Sequence, residues 1–176
     1  MNQYTQQKFV GERALFQSRD LELSYCTFAD GESPLKESKN LKIENCLFQW
    51  KYPLWYCRNV EVKHSTMFEM ARAGIWYTDH ISMEDITYQA PKGFRRCKDV
   101  VLKDINFPNA AETLWNCSQV KMQNVTAKGD YFAMGSSDME IDNFTLVGNY
   151  SFDLSLIHIS ELTRQAEISY AVFCLK

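Results

Sequence analysis

Apolar residues recur along this chain at the first, third, sixth and eighth places of an eight-residue frame. The frame occurs as Leu21–Phe28, Leu41–Phe48, Val60–Met67, Ile81–Tyr88, Val100–Phe107, Val120–Ala127 and Met139–Leu146. That spacing of about 20 residues lies in the range of stacked-repeat architectures. The first three places alternate apolar, polar, apolar, which is the period of a strand. The fifth place holds Asn45, Asp85, Asp104, Asn124 and Asn143, with Tyr25 and His64 as exceptions. Asn and Asp tolerate left-handed backbone and make local turn hydrogen bonds, so the chain is expected to bend there and begin another short strand. No segment carries a sustained helical period.

These observations predict an all-β, right-handed parallel β-helix, a solenoid whose coils of about 20 residues stack about 4.8 Å apart. A leucine-rich repeat would need a helical half-repeat and a different leucine spacing. A left-handed β-helix would need strict hexapeptides, whereas these coils vary in length. Met1–Asp153 is read as a single β-helix domain, with Met1–Arg13 covering its N-terminal end as a cap. Leu154–Lys176 breaks the pattern, and its string LSLIHISELTRQAEISYAVFCLK resembles translated sequencing-adapter DNA. It is set aside from the fold, and the native product is expected to continue beyond Asp153.

Composition narrows the partners. The net charge is −3, which leaves no electrostatic footprint for nucleic acid. No apolar run is long enough to span a membrane. The N-terminal residues lack the apolar core of a signal peptide, so a cytoplasmic location is expected. Cys26 and Cys46 share one place in adjacent repeats. Cys57, Cys97 and Cys117 share another, where Ser18, Ser38, Thr78 and Ser136 also fall. Exchange among Cys, Ser and Thr suits small buried packing residues, reduced in that compartment. With no CxxC and no His cluster, neither a metal site nor a cofactor is expected.

A less uniform segment precedes each frame. An apolar ladder runs through Leu15, Leu35, Leu54, Ile75, Phe94, Leu114 and Ala133. The next place holds Phe16, Lys36, Trp55, Trp76, Arg95, Trp115 and Met134, and the one after it Gln17, Glu37, Tyr56, Tyr77, Arg96, Asn116 and Gly135. Glu32, Lys51, Tyr52, Arg72, Lys92, Glu112, Asp130 and Tyr131 come slightly earlier. Stacking would gather these residues on one flank, with Trp55, Trp76, Arg95 and Trp115 on four consecutive coils.

Two readings fit this strip. In one it is a groove for an oligo- or polysaccharide. Trp55, Trp76 and Trp115 would then stack on sugar rings, with Tyr52, Tyr56 and Tyr77 beside them. Lys51, Arg72, Lys92, Arg95 and Arg96 would hold hydroxyl or acidic groups. In the other, stacked aromatics with an interleaved arginine tie neighbouring coils together, and Glu32–Lys51 and Lys92–Glu112 are ordinary surface pairs. A protein docking on the strip is the rival partner.

For an enzyme, glycoside hydrolysis needs two carboxylates flanking the scissile bond, for which Glu32, Glu37 and Glu112 are the candidates. Lyase chemistry would need a basic residue, often with calcium, and no compact Asp cluster is present. His64 and His80 are isolated and read as turn or surface residues. The glycosylation patterns at Asn116, Asn124, Asn143 and Asn149 are read as accidents of the repeat.

Several strings resemble an uncharacterised bacterial family, domain of unknown function 3737. They are GERALF (Gly11–Phe16), DGESPLKE (Asp30–Glu37), KYPLWY (Lys51–Tyr56), ARAGIWY (Ala71–Tyr77), KGFRRC (Lys92–Cys97), ETLW (Glu112–Trp115), GDYF (Gly129–Phe132) and GNYSFD (Gly148–Asp153). The resemblance implies a pectin-lyase-like right-handed β-helix, longer than this chain, and carries no established activity. Most of the matching strings fall in the strip rather than in the core frame.

Overall fold

The computed structural model describes residues 2–152. The expectation made for Leu154–Lys176 lies outside the described residues. The described chain is all-β and winds into a parallel solenoid of about eight turns. Its strands are β1 (Asn2–Thr5), β2 (Lys8–Phe9), β3 (Arg19–Ser24), β4 (Thr27–Phe28), β5 (Lys39–Glu44), β6 (Leu47–Phe48), β7 (Leu54–Trp55), β8 (Arg58–Met67), β9 (Ile75–Trp76), β10 (Asp79–Tyr88), β11 (Phe94–Arg95), β12 (Lys98–Phe107), β13 (Ser118–Lys128) and β14 (Ser137–Val147). No helix among the described residues is long and apolar enough to cross a membrane.

The long sheet runs β1-β3-β5-β8-β10-β12-β13-β14, with the short strands β2, β4 and β6 joining it at β8. A second sheet, β7-β9-β11, lies on the flank that carries the strip and is extended by a parallel bridge from Arg95 to Trp115. Every pairing is parallel and keeps like places of the repeat together. Leu21 faces Leu41, Leu41 faces Val60, and so on through Ile81, Val100, Val120 and Met139. The frame's apolar places all point inward and form one core along the axis. Residues 2–13 form the first coil, in register with the second, and β1 is exposed throughout.

The predicted bend is one of four. Non-glycine residues with φ near +55° recur four times per coil. One column holds Tyr25, Asn45, His64, Asp85, Asp104, Asn124 and Asn143, as expected. A second holds Asp20, Asn40, Asn59, His80, Asp99, Gln119 and Asp138. The other two carry residues with no left-handed preference, among them Glu37, Tyr56, Tyr77 and Arg96 in one and Tyr52, Lys92, Glu112 and Tyr131 in the other.

For such residues this backbone costs about 1–2 kcal/mol each. The Asn and Asp columns add side-chain ladders between coils. Asn40 Nδ2 donates to Asp20 Oδ1 at 2.8 Å, and Asn59 Nδ2 to Asn40 Oδ1 at 2.9 Å. Asn143 and Asn124 repeat the pattern on the predicted column, each donating to the residue one coil earlier. His64 and His80 are corner residues too, bonded to Asp85 and Asp99.

The Cys/Ser/Thr column lines the inside of the corner that carries Tyr56. Its side chains accept a backbone N–H from one coil and give their own hydrogen to a carbonyl. Thr78 Oγ1 accepts from Cys57 N at 3.1 Å and donates to Leu54 O at 2.8 Å. Ser136 Oγ accepts from Cys117 N and donates to Leu114 O. Cysteine substitutes here because its thiol can do the same, as Cys57 Sγ does toward Leu35 O at 3.1 Å. The five cysteines among the described residues are free and buried. Burial pushes the Cys46 and Cys57 thiols up to about 12, so they stay protonated and unreactive.

One core residue breaks the pattern. The eighth frame place is Phe28, Phe48 and Phe107 in three coils, but Tyr88 in another. Tyr88 is fully buried, and its hydroxyl has no partner of good hydrogen-bond geometry among the described residues, the Gly74 backbone lying nearest. The hydroxyl is accommodated because Gly74 stands opposite, where a Cβ would come within 2.3 Å of it. A buried hydroxyl without a partner costs about 1–3 kcal/mol. Tyr88→Phe is therefore expected to stabilise the protein by about 1 kcal/mol. Urea denaturation would show this as a higher midpoint at unchanged slope; a lower midpoint would mean that the hydroxyl is satisfied.

Candidate functional site

Strands β7, β9 and β11 build the strip. Each is two residues long, turning Leu54, Ile75 or Phe94 inward and Trp55, Trp76 or Arg95 outward. The residue that follows sits at a corner, so Tyr56, Tyr77 and Arg96 also project outward. In-register stacking brings the expected four into one column. Trp55 and Trp76 lie face to face, with ring centroids 5.0 Å apart and planes 6° from parallel. The Arg95 guanidinium then lies between Trp76 and Trp115, 4.5 and 4.8 Å from the two ring centroids. Beside them Tyr56 and Tyr77 stack at 4.8 Å, and Lys36 Nζ lies 5.7 Å over the Tyr56 ring.

The indole N–H groups are also taken. Trp55 Nε1 donates to Ala73 O at 2.5 Å, Trp76 Nε1 to Lys92 O at 3.0 Å and Trp115 Nε1 to Tyr131 O at 2.6 Å. Each acceptor is the left-handed corner residue of the next coil. The tryptophans thus pin a strained corner with their edges, and Trp76 has both faces covered, by Trp55 and Arg95, while Trp115 has one covered by Arg95. Tyr52 packs obliquely on Trp55 at 4.6 Å.

Each of the three candidate carboxylates has its own polar partner. Glu32 meets Lys51 at 3.4 Å, and Glu37 accepts a hydrogen bond from Gln17 at 2.9 Å. Glu112 lies 3.4 Å from Lys92 and 3.6 Å from Arg95. Glu112 stands four coils beyond Glu32, a rise of about 19 Å at the interstrand spacing. Paired glycosidase carboxylates are at most about 9.5 Å apart. Among the described residues no group of three or more His, Cys, Asp or Glu could hold a metal ion. Two shallow depressions lie elsewhere: one around Asn40, Asn59 and His80, the other at the last coil around Gly129 and Gly148.

The structure also brings together a column that sequence reasoning passed over. Two places before each frame stand Arg19, Lys39, Arg58, Asp79, Lys98, Ser118 and Ser137, in register and next to the Tyr56–Arg96 corner. Its signal in the sequence was a run of same-sign charge at one repeat position.

The family described as "Protein of unknown function (DUF3737)" matches residues 2–166, running past Asp153 into the stretch set aside above. No curated protein matches the chain. Among solved structures it is similar to HetL, a pentapeptide repeat protein involved in heterocyst differentiation regulation from the cyanobacterium Nostoc sp. strain PCC 7120. The two share 8% identity with a TM-score of 0.28, over 88% of this chain and 64% of HetL.

Proposed function

Because this chain belongs to the DUF3737 family of proteins of unknown function, its role has to be argued from the solenoid itself, and we propose that it is a non-enzymatic scaffold that docks a protein on the aromatic and cationic flank. One observation carries this reading: the three indole N–H groups, both faces of Trp76 and one face each of Trp55 and Trp115 are already used between coils. Sugar recognition by stacking needs an open ring face. Glu112 stands too far along the axis from Glu32 and Glu37 to pair with either in glycoside hydrolysis. What the flank offers outward is ring edges, tyrosine hydroxyls and cations.

A second reading keeps the carbohydrate. Tyr56 is 48% exposed and Arg72 and Arg96 project into solvent, so a saccharide could lie along the ring edges. Titration of tryptophan emission with neutral and uronate oligosaccharides separates the two. The scaffold reading expects no saturable change. A saturable change that disappears in Trp76→Ala would restore the carbohydrate and remove the scaffold.

A further inference from the structure

Charge is arranged differently at the edge of the long sheet that borders this flank than on the rest of its outer face. On the outer face of the long sheet the sign alternates from coil to coil. Glu22, Lys42 and Glu61 form one column, and Glu44, Lys63, Glu84 and Lys103 another. Opposite charges stacked in register stabilise a sheet, and like charges destabilise it. The Lys42–Glu22 and Lys103–Glu84 pairs show the first case at 3.6 and 2.5 Å.

Where the strands begin, at the corner next to Tyr56, the sign repeats over three coils. Arg19, Lys39 and Arg58 stack directly, all exposed. Arg19 turns its guanidinium onto the carbonyls of Gln17, Ser18 and Glu37. Lys39, Arg58 and Lys98, with Asp79 between the last two as the one acid of their column, have no ion-pair partner among the described residues, and neither has Arg96 at the neighbouring corner. The neighbouring rings reinforce the field, because stacked rings present their positive edges outward. A chain of net charge −3 thus keeps an unfavourable cationic stack on one corner.

Resting on the scaffold reading, we propose that this corner docks an acidic, extended segment of a polypeptide, its carboxylates on Lys39, Arg58, Arg96 and Lys98. An acidic partner relieves the repulsion between stacked cations. From Lys39 to Lys98 the column rises about 14 Å, the reach of four or five extended residues. A polypeptide is favoured over a polyuronate because it needs no ring face.

The test is fluorescence anisotropy with a labelled oligoglutamate of about ten residues, against oligoglutamine, an oligouronate and oligodeoxythymidylate of similar length. Oligoglutamate is expected to bind saturably and weaken with salt, and oligoglutamine not to bind. Arg58→Glu with Arg96→Glu should weaken binding about tenfold or more. Lys103→Glu with Lys121→Glu makes the same charge change off the flank and should leave affinity within about twofold. Thermal melts confirm that both variants fold. Absence of saturable binding, equal losses in the two variants, or tighter binding of the oligouronate or oligonucleotide overturns the proposal. Equal binding of oligoglutamine and oligoglutamate, lost in Tyr56→Ala, overturns the acidic partner but leaves the scaffold. Failure of the scaffold itself would show as the saccharide response described above.

Discussion

Phe48→Ala is expected to cost about 3–5 kcal/mol, the upper range for a large-to-small core change. Phe48 is fully buried and lies parallel to Phe28, with centroids 4.9 Å apart and planes at 7°. Phe28 in turn stacks on Phe9, and Met67 follows Phe48 in register. In a globular core the neighbours can move partway into the space left by a deleted ring. Here the hydrogen bonds between parallel strands hold the coils at one spacing, so the gap stays open. Phe48→Met, matching the next rung, should cost less than about 1.5 kcal/mol.

A solenoid is stabilised by contacts between nearest coils, so the loss should concentrate around Phe48. Chemical denaturation gives the magnitude. Hydrogen exchange should show the amides of β4, β6 and β8 losing protection before those of β13 and β14. Uniform loss across all strands would mean that the solenoid unfolds as one unit. A cost below about 1 kcal/mol would show that the coils can close the gap.

Arg95→Ala comes next, at about 2–3 kcal/mol. A partly desolvated cation–π contact is worth up to about 2 kcal/mol, and Arg95 makes two, with Trp76 and Trp115. The Glu112 pair adds little, since Arg95 and Glu112 remain 24% and 32% exposed. The alanine also leaves two ring faces without a filler. Lysine should restore less than half of the loss, because an ammonium on a flexible stem cannot fill a planar slot. Thermal melts of the three proteins, with tryptophan emission as a second readout, check this. Equal stability of Arg95→Lys and wild type would show that charge alone holds the stack.

Much of this was legible in the residues themselves. The frame from Leu21 to Leu146 named the inward columns. The Trp55–Trp76–Arg95–Trp115 column and the Glu32–Lys51 and Lys92–Glu112 pairs were readable by aligning the repeats. The corners at Tyr56 and Lys92 were not, because tyrosine and lysine have no left-handed preference to read. Their backbone is imposed by the stack and held by bonds such as Trp76 Nε1 to Lys92 O. Tyr88 gave no sign that its hydroxyl lacks a partner, since that depends on what faces it across the core.

The sequence alone determined which residues become neighbours. In a parallel, in-register solenoid each repeat position stacks on itself, so period translates directly into contact. Only the tertiary structure decided what those neighbours leave free. Whether a tryptophan offers a face or an edge depends on ring planes packed at the coil spacing. Whether a cation is paired or left toward solvent depends on the corner from which it projects. Both are properties of the assembled stack, set by ring planes and corner geometry that no repeat alignment contains.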